Sequence, residues 1–193
     1  MSKATELKLH LQPGQVYRRN DLEKWSNAVD RHLQELQDDG TLKKVAKGMY
    51  YYPTETAFGQ APPSDDALVR SFLKDDRFLV TSPNDYNKLG LGTTQLYNKA
   101  VVYNHKRHGE LRLGNRFYSF QRKPHFPKKV SPEFLLVDLV NNVDSIAEDK
   151  TAVLHKVKKK VSEMNVHQLK QAVRDYGNLR TKRFFAPILG GNK

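Results

Sequence analysis

Apolar positions in the first sixty residues fall into helical spacing and then into a short alternating pair. Thr5 to Leu11 predicts a short first helix, stopped by Pro13-Gly14. Asn20 stands as the N-cap of a second helix, 21–25, with Asp21 and Glu23 in its first turn. Ser26 then caps a third helix, 27–38, on which Val29, Leu33 and Leu36 share one face and Gly40 supplies a left-handed stop. Strands over 42–45 and 49–52 follow, joined through Ala46, Lys47 and Gly48, and Pro53 closes the unit. The stretch from Thr54 to Ser64 carries Gly59, Pro62 and Pro63 and almost no charge, which marks a linker. The pattern thus predicts one domain over 1–55 and a second over 65–193.

The second stretch predicts a helix over 65–74, a strand over 78–81 and a helix from Pro83 to about Leu89. Strands over 100–104, 110–113 and 116–121 come next, with Gly114-Asn115 as a tight hairpin between the last two. Helices over 132–143, 151–160, 163–174 and 179–185 complete the chain. The expected fold class is α+β: an N-terminal winged helix-turn-helix, then a C-terminal domain whose small, mainly antiparallel sheet is packed by helices.

Charge changes the picture most. Lys and Arg number 33 against 21 Asp and Glu, a net charge of +12 that favours polyanionic partners. The surplus is uneven: residues 1–60 hold 9 basic and 8 acidic side chains, 61–130 hold 13 and 6, and 131–193 hold 11 and 7. Most of it therefore lies beyond the first unit. Cysteine is absent, which excludes disulfides, thiolate metal sites and cysteine nucleophiles and fits a reducing compartment. With no apolar run resembling a signal peptide or a membrane span, the expectation is a cytoplasmic protein with no membrane partner.

A helix-turn-helix offers its last helix to the major groove, and here that face carries Ser26, Asn27, Asp30, Arg31 and Gln34. Asn and Gln suit adenine edges, and Arg suits guanine or phosphate. Lys43, Lys44 and Lys47 occupy the wing, while Arg18 and Arg19, ahead of the second helix, are further phosphate candidates. The plain alternative is a solvated helix face and a soluble hairpin, with Asp30, Glu35, Asp38 and Asp39 opposing a polyanion.

Farther on, Lys99, Lys106, Arg107, Arg112 and Arg116 form a basic strip continued by Arg122 and Lys123 and interleaved with Tyr103 and Tyr118. Such a strip holds nucleic acid by phosphate contact and stacking, or meets an acidic protein, or only solvates a sheet in which Tyr103, Phe117, Tyr118 and Phe120 alternate in and out. In the tail, Val153, Leu154, Val157 and Val161 form a core stripe opposite a lysine-rich face, and Phe184 and Phe185 dock the tail or bind a partner.

Enzymatic readings find less. The glycines of LGLGTTQ, 89–95, lack the lysine of a phosphate loop, and a tight turn whose backbone bonds to Thr93, Thr94 and Gln95 accounts for them. His105-x-x-His108 is half a metal site with no third ligand at convincing spacing. A divalent-metal DNA nuclease built on Asp85 and Glu110, with Arg112 assisting, is one alternative function. A winged-helix adaptor for an acidic protein is the other. No catalytic residue, metal or cofactor is expected.

Two blocks carry a resemblance. Residues 47–53, KGMYYYP, resemble the wing that closes the N-terminal unit of the AbiEi antitoxin family, from type IV abortive-infection toxin–antitoxin pairs. Residues 82–96, SPNDYNKLGLGTTQL, are similar to that family's following block through Asn87, Leu89, Gly90, Leu91, Thr94 and Gln95. The stretch 101–122, with its turn at Leu113, Gly114, Asn115 and Arg116, is similar to the strand-rich part after it, so the resemblance covers about residues 15–125. It implies a transcriptional autorepressor that binds inverted repeats of its own double-stranded operator. It also implies a second domain that opposes a nucleotidyltransferase-like toxin encoded next door, without a stable complex.

Overall fold

The computed structural model describes residues 3–91 and 96–190. Gly92, Thr93, Thr94 and Gln95, and with them the proposed polar turn, lie outside the described residues. Two compact units divide the chain: residues 1–76 together with 110–118, and residues 77–109 together with 119–193.

The first unit runs α1 (Lys3–Lys8), β1 (Val16–Arg18), α2 (Arg19–Leu22), a 3-10 turn Glu23–Trp25, α3 (Val29–Asp38), β2 (Lys43–Ala46) and β3 (Met49–Tyr51). A two-stranded hairpin follows, β4 (Glu55–Thr56) and β5 (Gly59–Gln60), inside the stretch expected to be a linker. Then comes α4 (Asp65–Leu73). Val29, Leu33 and Leu36 are buried as the spacing predicts, and they pack with Leu7, Leu22, Leu42 and Tyr50. Gly40, at φ 77°, ends α3 in the left-handed conformation that glycine adopts without strain.

One strand escaped the sequence reading. β1 pairs antiparallel with β3 in the sheet order β1-β3-β2, Val16 opposite Tyr51, so the sheet has three strands where two are predicted. Three residues are too few for an alternating pattern to register. Two caps also differ. Asn20 lies inside α2, whose N-cap position is Arg18, and α3 begins at Val29 with Ala28, not Ser26, at its N-cap position, so Asn27 sits in the turn ahead of it.

α4 and residues 110–118 group with this unit because polar side chains fasten them there. Arg18 Nη1 donates to the Ser71 and Phe72 carbonyls at 3.1 and 3.3 Å, at the end of α4. Asp65, in the first turn of α4, accepts from Arg116 and from the Tyr118 hydroxyl. Gly114 N–H donates to Val45 O at 2.7 Å from a turn residue at φ 58°.

The second unit contains β6 (Phe78–Thr81), a 3-10 turn Pro83–Leu89, β7 (Lys99–Asn104) and the last residues, 119–122, of β9 (Arg116–Arg122), whose hairpin partner β8 (Gly109–Leu113) lies almost wholly in the first unit. The strands hydrogen-bond in the order β6-β7-β9-β8, with β6 and β7 antiparallel. The Pro83 segment is 3-10 rather than α. Ser82 and Asp85 form a reciprocal capping box at its start, and Gly90 ends it after two turns.

Helices α5 (Pro132–Asn141), α6 (Lys150–Lys160), α7 (Val166–Tyr176) and α8 (Leu179–Gly190) complete it. Every residue from Phe134 to Val140 of α5 is buried, as expected of a helix apolar all round and covered by α7, α8 and the 3-10 turn. Val153, Val157 and Val161 join this core, and Phe185 docks α8 into it. The molecule is thus a mixed α/β protein with a small antiparallel sheet packed by helices. Among the described residues, no helix is long and apolar enough to cross a membrane.

One polar residue breaks the apolar face of α5. Asp138, 3% exposed, accepts from Tyr86 at 2.7 Å, from Tyr103 at 2.6 Å and from Asn142 Nδ2 at 3.1 Å. Burial pushes its carboxyl above the usual carboxylate range, opposed by the tyrosine hydrogen bonds and the Lys123 charge. An acid raised on folding holds its proton more tightly in the native state. Its contribution is therefore fully present below the unfolded value of about 3.9 and is lost as pH rises through the raised folded one. We predict that the wild type loses stability relative to Asp138→Asn as pH rises above about 4, read as the difference between urea unfolding free energies at each pH.

Candidate nucleic-acid interface

The helix pair α2–α3 is set by a small polar hinge. Ser26, buried between the 3-10 turn and α3, accepts from Ala28 N at 3.3 Å, and its Oγ lies 2.7 Å from His32 Nδ1. His32 is itself buried, 4% exposed. The sequence reading left this histidine unassigned. Yet Val29, His32, Leu33 and Leu36 follow one helical stripe, and that spacing is the signal that places it inside.

On the opposite side of α3, Asp30, Arg31 and Gln34 are exposed, and Asn27 is exposed in the preceding turn. Asp30, Arg31 and Gln34 share one outward side of α3, with side chains already paired. Arg31 Nε lies 3.7 Å from Glu35, and Gln34 Nε2 donates to Asp38 at 2.7 Å. Arg19 makes a fork with Asp30, 2.6 Å from each guanidinium nitrogen to its carboxylate oxygen, and also pairs with Glu23. The hydrogen bond to Asp30 raises the Arg19 pKa, and the same bond lowers that of Asp30. The fork neutralises the acid that would most oppose a phosphate, at the expense of Arg19 as an independent phosphate ligand.

Lys43 and Lys44 are both exposed on β2, an edge strand of the sheet. Their pairing with Tyr51 and Tyr50 is regular, and the register with β3 shifts only after them, between Lys44 and Ala46. Lys47 is exposed in the turn that Gly48 closes, and Gly48 O accepts from Arg19 N at 2.9 Å, tying that turn to the start of α2. Lysines on an outer strand also keep it from pairing with another chain, a structural use that needs no ligand. Arg18 stands apart. Its guanidinium is engaged with the α4 carbonyls.

The basic strip does not form one surface. Arg116 is paired with Asp65, and Arg112, whose Nε donates to Gly114 O at 3.1 Å, lies over the exposed Phe117 ring at 5.8 Å; both group with the first unit. Lys99 borders a cavity of about 140 Å³ in the second unit, beside Tyr86, Tyr97 and Asn142. Lys106 and Arg107 are exposed in a tight turn, where Asn104 Oδ1 accepts from both of their backbone N–H groups. Tyr103, Tyr118 and Phe120 are buried while Phe117 faces out, so three of the four aromatics belong to cores.

Asp85 is occupied by its own capping box, by Thr81 Oγ1 and by Lys88 Nζ at 2.6 Å. The His105 ring turns its Nδ1 to the Lys123 carbonyl. Among the described residues, no three His, Asp or Glu side chains are grouped to hold a metal ion.

Comparison with known proteins adds two matches. The profile described as Family of unknown function (DUF6088) matches residues 9–177. The crystal structure of the Rv2827c protein from Mycobacterium tuberculosis superposes with a TM-score of 0.60 at 17% identity, covering 97% of this chain and 76% of that one. At that identity the likeness is one of fold. No curated protein matches significantly.

The hinge generates a prediction. Ser26→Ala removes an acceptor for Ala28 N–H and leaves His32 without its buried partner. Stability should fall by about 1–3 kcal/mol, measured by urea unfolding, and an unchanged midpoint would remove Ser26 from this role.

Proposed function

The chain belongs to the Family of unknown function (DUF6088), and within it we propose that this protein is a DNA-binding autorepressor and antitoxin of the AbiEi kind. Read this way, α1 to β3 form a winged helix-turn-helix, with α3 for the major groove and the β2–β3 turn as the wing. The observation that carries the reading is the outward surface of α3 and β2, where Asn27, Arg31 and Gln34 stand exposed with Lys43, Lys44 and Lys47. Asn27 and Gln34 would read adenine edges and Arg31 guanine, while the three lysines would hold phosphate. Asp30 and Arg19, joined in one fork, would position the helix face rather than touch DNA. Arg18 would brace α4.

Such a reader meets inverted repeats upstream of its own gene, one copy to each repeat. The second unit would oppose the neighbouring gene's nucleotidyltransferase-like toxin. Lys99, Lys106 and Arg107 are exposed or half-exposed there.

A footprint of the full-length protein on its upstream DNA, with excess random competitor near physiological salt, tests the DNA half. Paired protected repeats support it, and protection no different from random DNA rejects it. Arg31→Ala should lose operator preference by about 1–3 kcal/mol while random binding stays. Lys44→Ala should weaken both and reduce the salt slope by about one phosphate. The antitoxin half predicts that full-length Arg31→Ala, though poor at repression, still restores growth of cells making the cognate toxin. Loss of rescue in step with loss of repression would overturn the division between units.

A further inference from the structure

We infer that the second unit carries a nucleotide-binding cleft, separate in chemistry from the duplex surface of the first. The cleft, of about 490 Å³, opens between the β7–β8 turn, the segment after β9 and the last residues of α7. Its walls include His105, His125, Phe126, Arg174, Asp175 and Tyr176. That volume falls within the range of small-ligand sites.

The first observation is a stacking platform. The His105 ring lies on Phe126, with centroids 4.7 Å apart and planes within 30°. Phe126 packs in turn on the cluster of Leu79, Tyr103 and Phe134, while His105 itself is exposed. Tyr176 meets Phe134 edge-on at 5.5 Å, so the aromatic wall is held from behind. His105 Nδ1 lies 3.0 Å from the Lys123 carbonyl, and a carbonyl only accepts, so Nδ1 carries the hydrogen and Nε2 is left for a ligand. An exposed, oriented ring on a fixed ring offers a π face to an unstacked base.

The second observation is charge. Segments 104–109 and 119–131, which supply two of the three walls, contain no Asp or Glu and carry Lys106, Arg107, Arg122, Lys123, Lys128 and Lys129. The third wall adds Arg174, whose Nε is held by Asp175 at 2.8 Å. That bond uses one of five guanidinium donors. Asp175, the carboxylate of the cleft, is thereby paired, and His125 lies close enough to lower its pKa further.

A flat aromatic platform in one cleft with Arg174, on segments rich in Lys and Arg, fits one ligand chemistry: a base joined to a phosphate. An acidic peptide would use the cations and leave the platform idle. A duplex hides its base faces, so the nucleotide would be free or part of a single strand.

The test uses the full-length protein and labelled single-stranded oligonucleotides, with adenosine monophosphate, inorganic phosphate and random duplex as competitors, read by anisotropy. His105→Ala and Arg174→Gln should each weaken single-strand binding by about tenfold, and Phe126→Leu, which keeps the apolar packing, by a similar factor. Duplex binding should be unchanged in all three. Competition by adenosine monophosphate would assign the site to free nucleotides, and binding of oligonucleotides alone would assign it to single strands. The inference is overturned if the variants bind as the wild type does, or if inorganic phosphate or random duplex competes as well as the single strand. The operator footprint reads the first unit separately, so failure here leaves that reading standing.

Discussion

A single carboxylate, Asp65, decides where the first unit ends. Tyr118 is fully buried, and a buried hydroxyl must find a partner or lose the hydrogen bonds it had in water. Asp65 supplies that partner and at the same time pairs with Arg116 from the same strand. Its position in the first turn of α4, behind the Ser64 cap, places the acid where the helix dipole also favours it. The result is a unit assembled from two stretches of chain. The backbone passes between units after Asp76, after Gly109 and after Tyr118.

That arrangement explains which parts of the fold the sequence made legible. Helical stripes such as Val29-Leu33-Leu36 and Val153-Val157-Val161 were readable because each is local and each became core. Gly114-Asn115 was readable as a turn because φ 58° at Gly114 is a local demand. The linker composition of residues 54–64 suggested a boundary, but the contacts that bind α4 to the first unit come from Arg18 and Arg116, some fifty residues away on either side. A boundary set by such distant side chains leaves no local trace. β1 was missed for the related reason that three residues acquire strand character only by pairing with β3.

The candidate site was legible in its composition and not in its pairing. Sequence placed Arg18, Arg19 and Asp30 together as contact residues, whereas the structure uses Arg18 as a brace and joins the other two in a fork. The basic strip shows the same limit. Its members alternate along strands and turns, so Arg112 and Arg116 group with one unit while Lys99, Lys106 and Arg107 group with the other. The histidines, scattered in sequence, divide likewise. His32 became part of a hinge and His105 part of a platform, each defined by a neighbour remote in the chain or hidden by the helix.

The paired state of the α3 face bears on how it would work. Arg31 with Glu35 and Gln34 with Asp38 are helix pairs four residues apart, and such pairs stabilise by about 0.3–0.5 kcal/mol. A good bidentate base contact is worth about 1–3 kcal/mol. Exchanging one for the other is therefore favourable on the correct base and nearly neutral on a wrong one, where the donor returns to its acid. On the proposed reading, the acids on this helix would then act less as repulsion than as acceptors competing with the base. With residues 1–60 close to charge balance, affinity on this surface would rest on Lys43, Lys44 and Lys47, and discrimination on the helix. On that proposed reading, a nearly neutral surface on a strongly basic chain would keep non-specific phosphate attraction away from the residues proposed to compare bases.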